Sequence, residues 1–212
     1  MNSYLVNTGH ILLLINFILY GLGFFRNKSA YKIFTVYLFV LICIQLGARI
    51  IRQMGGNNLF LSHIYFVGQF IILSFFYLDL VKDQFQRKFI KIGFALVLLT
   101  LAIQYALKPE LFLKFNLYEI FITSFLLIIY AVFHFYNMLD EKKEFYFINM
   151  GLLLYLFAST ILFLVGNLTT KLSKDLNMIT WTLNAVFVIV YHVFFFYEWK
   201  INYYKKNTIS SN

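Results

Sequence analysis

Four histidines lie inside otherwise apolar stretches of this chain: His10, His63, His134 and His192, one to a stretch. An ionisable side chain inside a long apolar run is costly and therefore marks a site that needs a partner. Arg49 and Glu119 each lie two residues inside their own runs, and a pair of opposite charge in that position can anchor a polar ligand or one another. With His63 beneath them and Asn184 on the last run, they are the expected ligand-binding set: Arg49, His63, Glu119 and Asn184. His10, Gln45 and Thr180 share their half of the chain's thickness. Haem or metal ligation is the other chemistry four histidines allow, with His10 and His63 at one depth and His134 and His192 at another. No two of them stand four apart on one helix, the spacing that presents two imidazoles to a zinc ion, and a zinc hydrolase is not expected.

A second pattern is the spacing of polar residues along two apolar runs. Thr123, Tyr130 and Asn137 are seven apart, with Glu119 one turn above. Asn184, Tyr191 and Glu198 repeat that spacing, with Thr180 one turn above. Seven helical residues fall about 20° short of two turns, so each set forms a stripe on one face. Asn149, Thr160 and Asn167 form a similar stripe on the run between. Exposed to lipid these stripes would be expensive, so they are expected to face inward, either bonding helices together or lining a polar cavity.

The elements that carry these residues follow from composition. Of 212 residues, 61% are hydrophobic and 13% charged, which excludes a soluble or a disordered chain. Seven runs reach the roughly 20 apolar residues needed to span a bilayer: Tyr4–Phe25, Ile33–Ile51, Leu59–Val81, Phe89–Leu107, Leu117–Leu139, Phe145–Leu168 and Met178–Trp199. The fold class expected is an all-α integral membrane bundle of seven helices. Residues 1–199 form a single transmembrane domain and 200–212 a short basic tail. Twelve lysines and arginines flank the runs on the C-terminal side of the bilayer and six on the other, which predicts an outside N-terminus and a cytoplasmic C-terminus. The net charge of +9 then serves topology and attraction to anionic lipid rather than nucleic acid. Tyr20, Tyr77, Tyr136 and Tyr197 recur near the inner ends of the odd-numbered runs, where interfacial tyrosine is expected.

Seven helices with an outside N-terminus resemble rhodopsins and seven-helix receptors in topology alone, because residues 178–199 hold no lysine for a retinal Schiff base. The length and helix number also resemble small sugar transporters, whose hinges rely on proline; here the one proline, Pro109, falls in a connection. The single cysteine, Cys43, allows no intrachain disulfide. The expected function is non-enzymatic. It is that of a sensor, signalling or accessory subunit in the cell membrane, with an outward pocket for a small or lipid-like ligand. Such a subunit would act through a protein partner or as a homo-oligomer, without a cofactor. The alternatives are a small-solute transporter or channel subunit, and a membrane haem protein.

Overall fold

The computed structural model describes residues 3–140, 143–169 and 174–204. Among them the only regular structure is helical: α1 (Ser3–Leu22), α2 (Ser29–Gln53), α3 (Phe60–Leu80), α4 (Gln84–Leu107), a single 3-10 turn (Pro109–Leu113), α5 (Leu117–Asn137), α6 (Tyr146–Thr169) and α7 (Lys174–Asn202). All seven α-helices are long and apolar enough to cross a membrane. The chain therefore reads as a multi-pass membrane protein.

Several helices overrun the apolar stretches that announce them. α2 begins at Ser29 rather than Ile33, α4 at Gln84 rather than Phe89, and α7 extends to Asn202 rather than Trp199. Backbone groups near a bilayer surface still need partners, so a helix runs on until a cap or turn relieves them. The caps are visible. Asp83 accepts from the Gln86 N–H at 2.8 Å and starts α4, and Asn116 accepts from the Glu119 N–H and starts α5. Arg87 reaches back to the carbonyls of Leu78 and Val81 and closes the C-terminus of α3, where a cation also meets the negative end of the helix dipole. α1 stops at Leu22, three residues early, where the chain turns: Asn27 donates to the Gly23 carbonyl, and a Cβ on Gly23 would stand 2.6 Å from the Tyr31 hydroxyl.

Six helices close a ring in the order α1, α2, α3, α5, α6, α7, with α7 packed back on α1. α4 sits outside the ring in the groove between α3 and α5. The interior is aromatic: Phe34, Tyr37, Phe70, Phe76, Tyr77 and Phe195 are fully buried. The periphery is aliphatic, with Ile11, Leu14 and Ile18 of α1 and Leu96, Leu99 and Ile103 of α4 all exposed. Meanwhile Asn16, Gln69, Glu119, Asn149 and Glu198 are buried. Polar groups inside and apolar groups outside is the distribution a lipid solvent selects.

Two of the four expected interfacial tyrosines are instead core residues. Tyr136 and Tyr197 are exposed, but Tyr20 and Tyr77 are fully buried. Tyr20 donates to the Phe195 carbonyl at 3.0 Å and Tyr77 to Asn149 Oδ1 at 2.8 Å. A phenol sited near a helix end serves the interface or a neighbouring helix according to the helix's rotation, which sequence position does not specify.

Candidate ligand-binding cavity

The polar residues separate into three groups. The first surrounds His63 at the end of the bundle that carries the N-terminus of α1. His63 Nδ1 lies 3.1 and 3.3 Å from the two carboxylate oxygens of Glu119, and both side chains are buried. The Tyr105 hydroxyl joins them, 2.8 Å from His63 Nδ1 and hydrogen-bonded to Glu119 Oε2. Asn116 completes the group by donating to Tyr105 and to Gln104 Oε1. Here α3, α4 and α5 are tied together. A buried carboxylate in apolar surroundings is tolerable only when its oxygens are occupied, and this cluster occupies them.

Arg49 is not part of it. It is exposed on α2, and among the described residues Glu119 pairs with His63 instead. The four residues expected to share one pocket are thus divided: His63 and Glu119 form a packed pair, Arg49 faces outward, and only Asn184 lines the cavity described below. Depth along the helices predicted their proximity; rotation about the helix axes separated them.

The second group lies at the opposite end. Glu198 is fully buried, and its Oε2 accepts from the Phe147 N–H at 2.8 Å while Oε1 accepts from Asn202 at 2.7 Å. A carboxylate on α7 thus caps the N-terminus of α6, where free N–H groups and the positive end of the dipole favour an anion. The turn it secures is strained, with Phe145 at φ 57° and its ring buried against Phe76. Nearby, His134 Nε2 lies 2.9 Å from the Glu144 carbonyl oxygen, and Lys28 pairs with Glu144 at 3.2 Å.

The α5 stripe is buried over Glu119, Thr123 and Tyr130, and it works as a clamp on α4. Thr123 bonds its own helix at the Glu119 carbonyl. Tyr130 lies against Gly93, where a Cβ would stand 2.7 Å from its hydroxyl. Asn137 and Gln86 exchange two amide hydrogen bonds, at 2.9 and 3.2 Å. On α6, Asn149 bridges Tyr77 to the Ala131 carbonyl and Thr160 bonds the Leu156 carbonyl; the Asn167 side chain lies outside the described residues.

The third group surrounds a cavity of about 330 Å³ bounded by α1, α2, α3, α6 and α7. Its walls are mainly apolar, from Leu13, Leu41, Ile44, Phe66, Phe163 and Val188. Arg52, Asn58 and Trp181 stand towards the N-terminal end of the bundle, and Tyr65, Tyr155, Tyr191 and His192 lie deeper. The hydroxyls of Tyr65 and Tyr155 are 2.8 Å apart, those of Tyr37 and Tyr191 are hydrogen-bonded, and Gln69 donates to Tyr37 at 2.7 Å. Asn184 Oδ1 and His192 Nδ1 have no hydrogen-bond partner among the described residues, although both atoms are shielded. The α7 stripe therefore divides its labour: Asn184 and Tyr191 line the cavity, and Glu198 caps α6.

His10 lies beside this cavity and bonds Gln45 Oε1, a lining group, at 3.1 Å. The four histidines remain on four helices with separate partners or surroundings. Among the described residues no three His, Cys, Asp or Glu side chains gather as a metal site. Sequence reasoning did not single out Arg52, Tyr65, Gln69, Tyr155 or Trp181. The one available signal was Gln69 and its tyrosine neighbours at mid-span, far from either interface. No family model, curated protein or solved structure matches the chain. The geometry alone carries the functional reading.

Proposed function

We propose that the protein is a non-enzymatic sensor or accessory subunit of the cell membrane that holds a small amphipathic ligand in the cavity beside Asn184, Tyr191 and His192. The single observation behind this reading is the cavity of about 330 Å³ bounded by five helices, with the polar side chains of Asn184, Tyr191 and His192 among its mainly apolar lining. A cavity of this size, mostly apolar with a few convergent polar groups, has the usual make-up of a small-ligand site. The excess of lysine and arginine at the far end supports an outside opening for the cavity.

Occupancy reaches a partner protein through α7. This helix carries cavity residues Asn184, Tyr191 and His192 at one level and Glu198, the cap of α6, about two turns further on. The basic segments around Lys28, Lys82 and Lys200 supply the partner's surface.

The test is chemical extraction of the purified protein followed by mass spectrometry. A small molecule should accompany the wild type and be lost in Ala48→Phe, which places a ring in the cavity. The reading fails if the wild type carries nothing and its thermal stability is the same with and without a whole-membrane lipid extract.

A further inference from the structure

Two side-chain amides of the cavity wall are turned the same way. Gln45 on α2 and Asn184 on α7 both line it. Gln45 Oε1 lies 3.1 Å from His10 Nε2. An amide oxygen only accepts, so His10 Nε2 carries the hydrogen and donates. The Gln45 oxygen is thereby held towards α1, and its NH2 group is left for another partner. Asn184 Oδ1 is likewise shielded. Gln45 Nε2 and Asn184 Nδ2 have no hydrogen-bond partner among the described residues either, but neither nitrogen is shielded. The walls therefore offer N–H groups and withhold the matching carbonyls.

The two amides also stand at similar heights. A Cβ on Gly9 would lie 3.2 Å from Val188 Cγ1, which sets the level of α1 against α7. His10, and Gln45 with it, is thus about one turn from Asn184 along the bundle axis. Arg52 lines the same cavity about two turns from Gln45 on the same face of α2.

Charge decides what these donors serve. Among the described residues Arg52 makes no ion pair or hydrogen bond, and no carboxylate lines the cavity. Asn58 and Ser62 each spend a hydrogen on a backbone carbonyl, of Ala48 and Leu59, and keep a neutral oxygen. Neutral oxygens do not offset an arginine. A wall with one cation and two free amide N–H groups holds an anion and disfavours a cation.

We infer that the occupant presents anionic oxygens, of a carboxylate or a phosphate, to the amide N–H groups of Gln45 and Asn184, and that His10 is the positioning residue that turns Gln45 towards it. This rests on the proposed ligand-binding role and names the ligand class of that same cavity.

The test is isothermal titration of octanoate, octyl phosphate and octylamine into the full-length protein in phosphatidylcholine nanodiscs. Ala48→Phe serves as the background that reports partitioning into lipid. Both anions should bind about tenfold tighter than the amine. Gln45→Leu should weaken octanoate about tenfold, the worth of one hydrogen bond to a charged group. Gln45→Glu sets a carboxylate in the same place, and should weaken octanoate further and admit octylamine. His10→Phe frees the Gln45 amide to turn and should weaken octanoate about threefold, a fraction of that one bond. His10→Gln keeps a donor at the same reach and should restore the affinity, which a histidine that only fills space would not show. Discs containing phosphatidylglycerol separate the two sources of such an anion: competition with octanoate identifies a lipid headgroup, its absence a free acid, and either agrees with the inference. The inference is overturned if octylamine binds as well as octanoate, if Gln45→Glu leaves octanoate unaffected, or if neither anion binds above the Ala48→Phe background. If His10→Gln binds octanoate no better than His10→Phe, the positioning role of His10 is refuted. Those results leave the ligand-binding role standing wherever extraction still yields a cavity-dependent molecule; an empty wild type removes both. Circular dichroism and native mass confirm that each variant is folded.

Discussion

Replacing Glu198 should unfasten α6 at one end. In the native bundle the carboxylate accepts from the Phe147 N–H and from Asn202 while shielded from solvent. Hydrogen bonds to a charged group contribute about 1.5–3 kcal/mol, and a partly buried anion at a helix N-terminus contributes up to about 2 kcal/mol. The two descriptions overlap, because the dipole is in large part those same N–H groups. Glu198→Ala removes the acceptor and leaves a buried donor, so a loss of about 3 kcal/mol is expected. Glu198→Gln keeps one acceptor for Phe147 and discards the charge, and should lose about half as much. Phe145 sharpens the effect: its left-handed backbone costs about 1–2 kcal/mol, and without the cap that turn can relax. Reversible unfolding in mixed micelles, titrated with sodium dodecyl sulfate, gives the free energies. Hydrogen exchange at the Phe147 amide reports the cap itself and should accelerate at least tenfold in Glu198→Ala. If Glu198→Ala unfolds within about 0.5 kcal/mol of wild type and that amide stays protected, Glu198 is not the cap and the reasoning is wrong.

Two further pairs of substitutions separate the outer and peripheral contacts. Arg49→Ala should leave stability within about 0.5 kcal/mol of wild type, as usual for an exposed side chain, whereas Glu119→Ala should lose about 3 kcal/mol because it strands buried His63 and Tyr105; equal losses in the same micelle titration would restore an Arg49–Glu119 pair. Gly93→Ala places a methyl group 2.7 Å from the Tyr130 hydroxyl and should loosen α4 at a cost of about 1–2 kcal/mol, measured as faster labelling of a cysteine introduced on the inner face of α4. Tyr130→Phe removes the clashing oxygen, so the double variant should recover part of the loss.

The helices and the inward stripes were legible because both are periodic in one chain. Lipid demands about 20 apolar residues per crossing, and the seven such runs coincide with the seven helices to within a few residues. A stripe needs only the 100° step, and the burial of Thr123, Tyr130, Tyr191 and Glu198 follows from it. Pairings between helices were not legible, since they depend on which helices adjoin and on the angle at which each is turned. Arg49 and Glu119 match in charge and depth, yet α2 points Arg49 outward while α3 presents His63 to α5. Glu198 read as one member of an inward stripe that either bonds helices together or lines a cavity; its partner is a backbone N–H on another helix, which no side-chain pattern announces. The cavity was hidden for a related reason: Tyr65 and Tyr155 look like ordinary aromatic filling until five helices surround the same space.

The closure of the ring bears on how the bundle is made. Asn16 and Tyr20 on α1 donate to the carbonyls of His192 and Phe195 on α7, residues about 175 positions later. Until α7 has been synthesised and inserted, those two donors have no acceptor, and the N-terminus of α6 has no Glu198. The first of the described helices is therefore completed by the last. A ribosome-bound chain lacking α7 presents polar side chains of α1 to lipid or to the insertion machinery, and holds α6 with a frayed end. A nonsense mutation anywhere before residue 192 removes both acceptors and should yield a chain that membrane quality control removes rather than a six-helix protein with partial function.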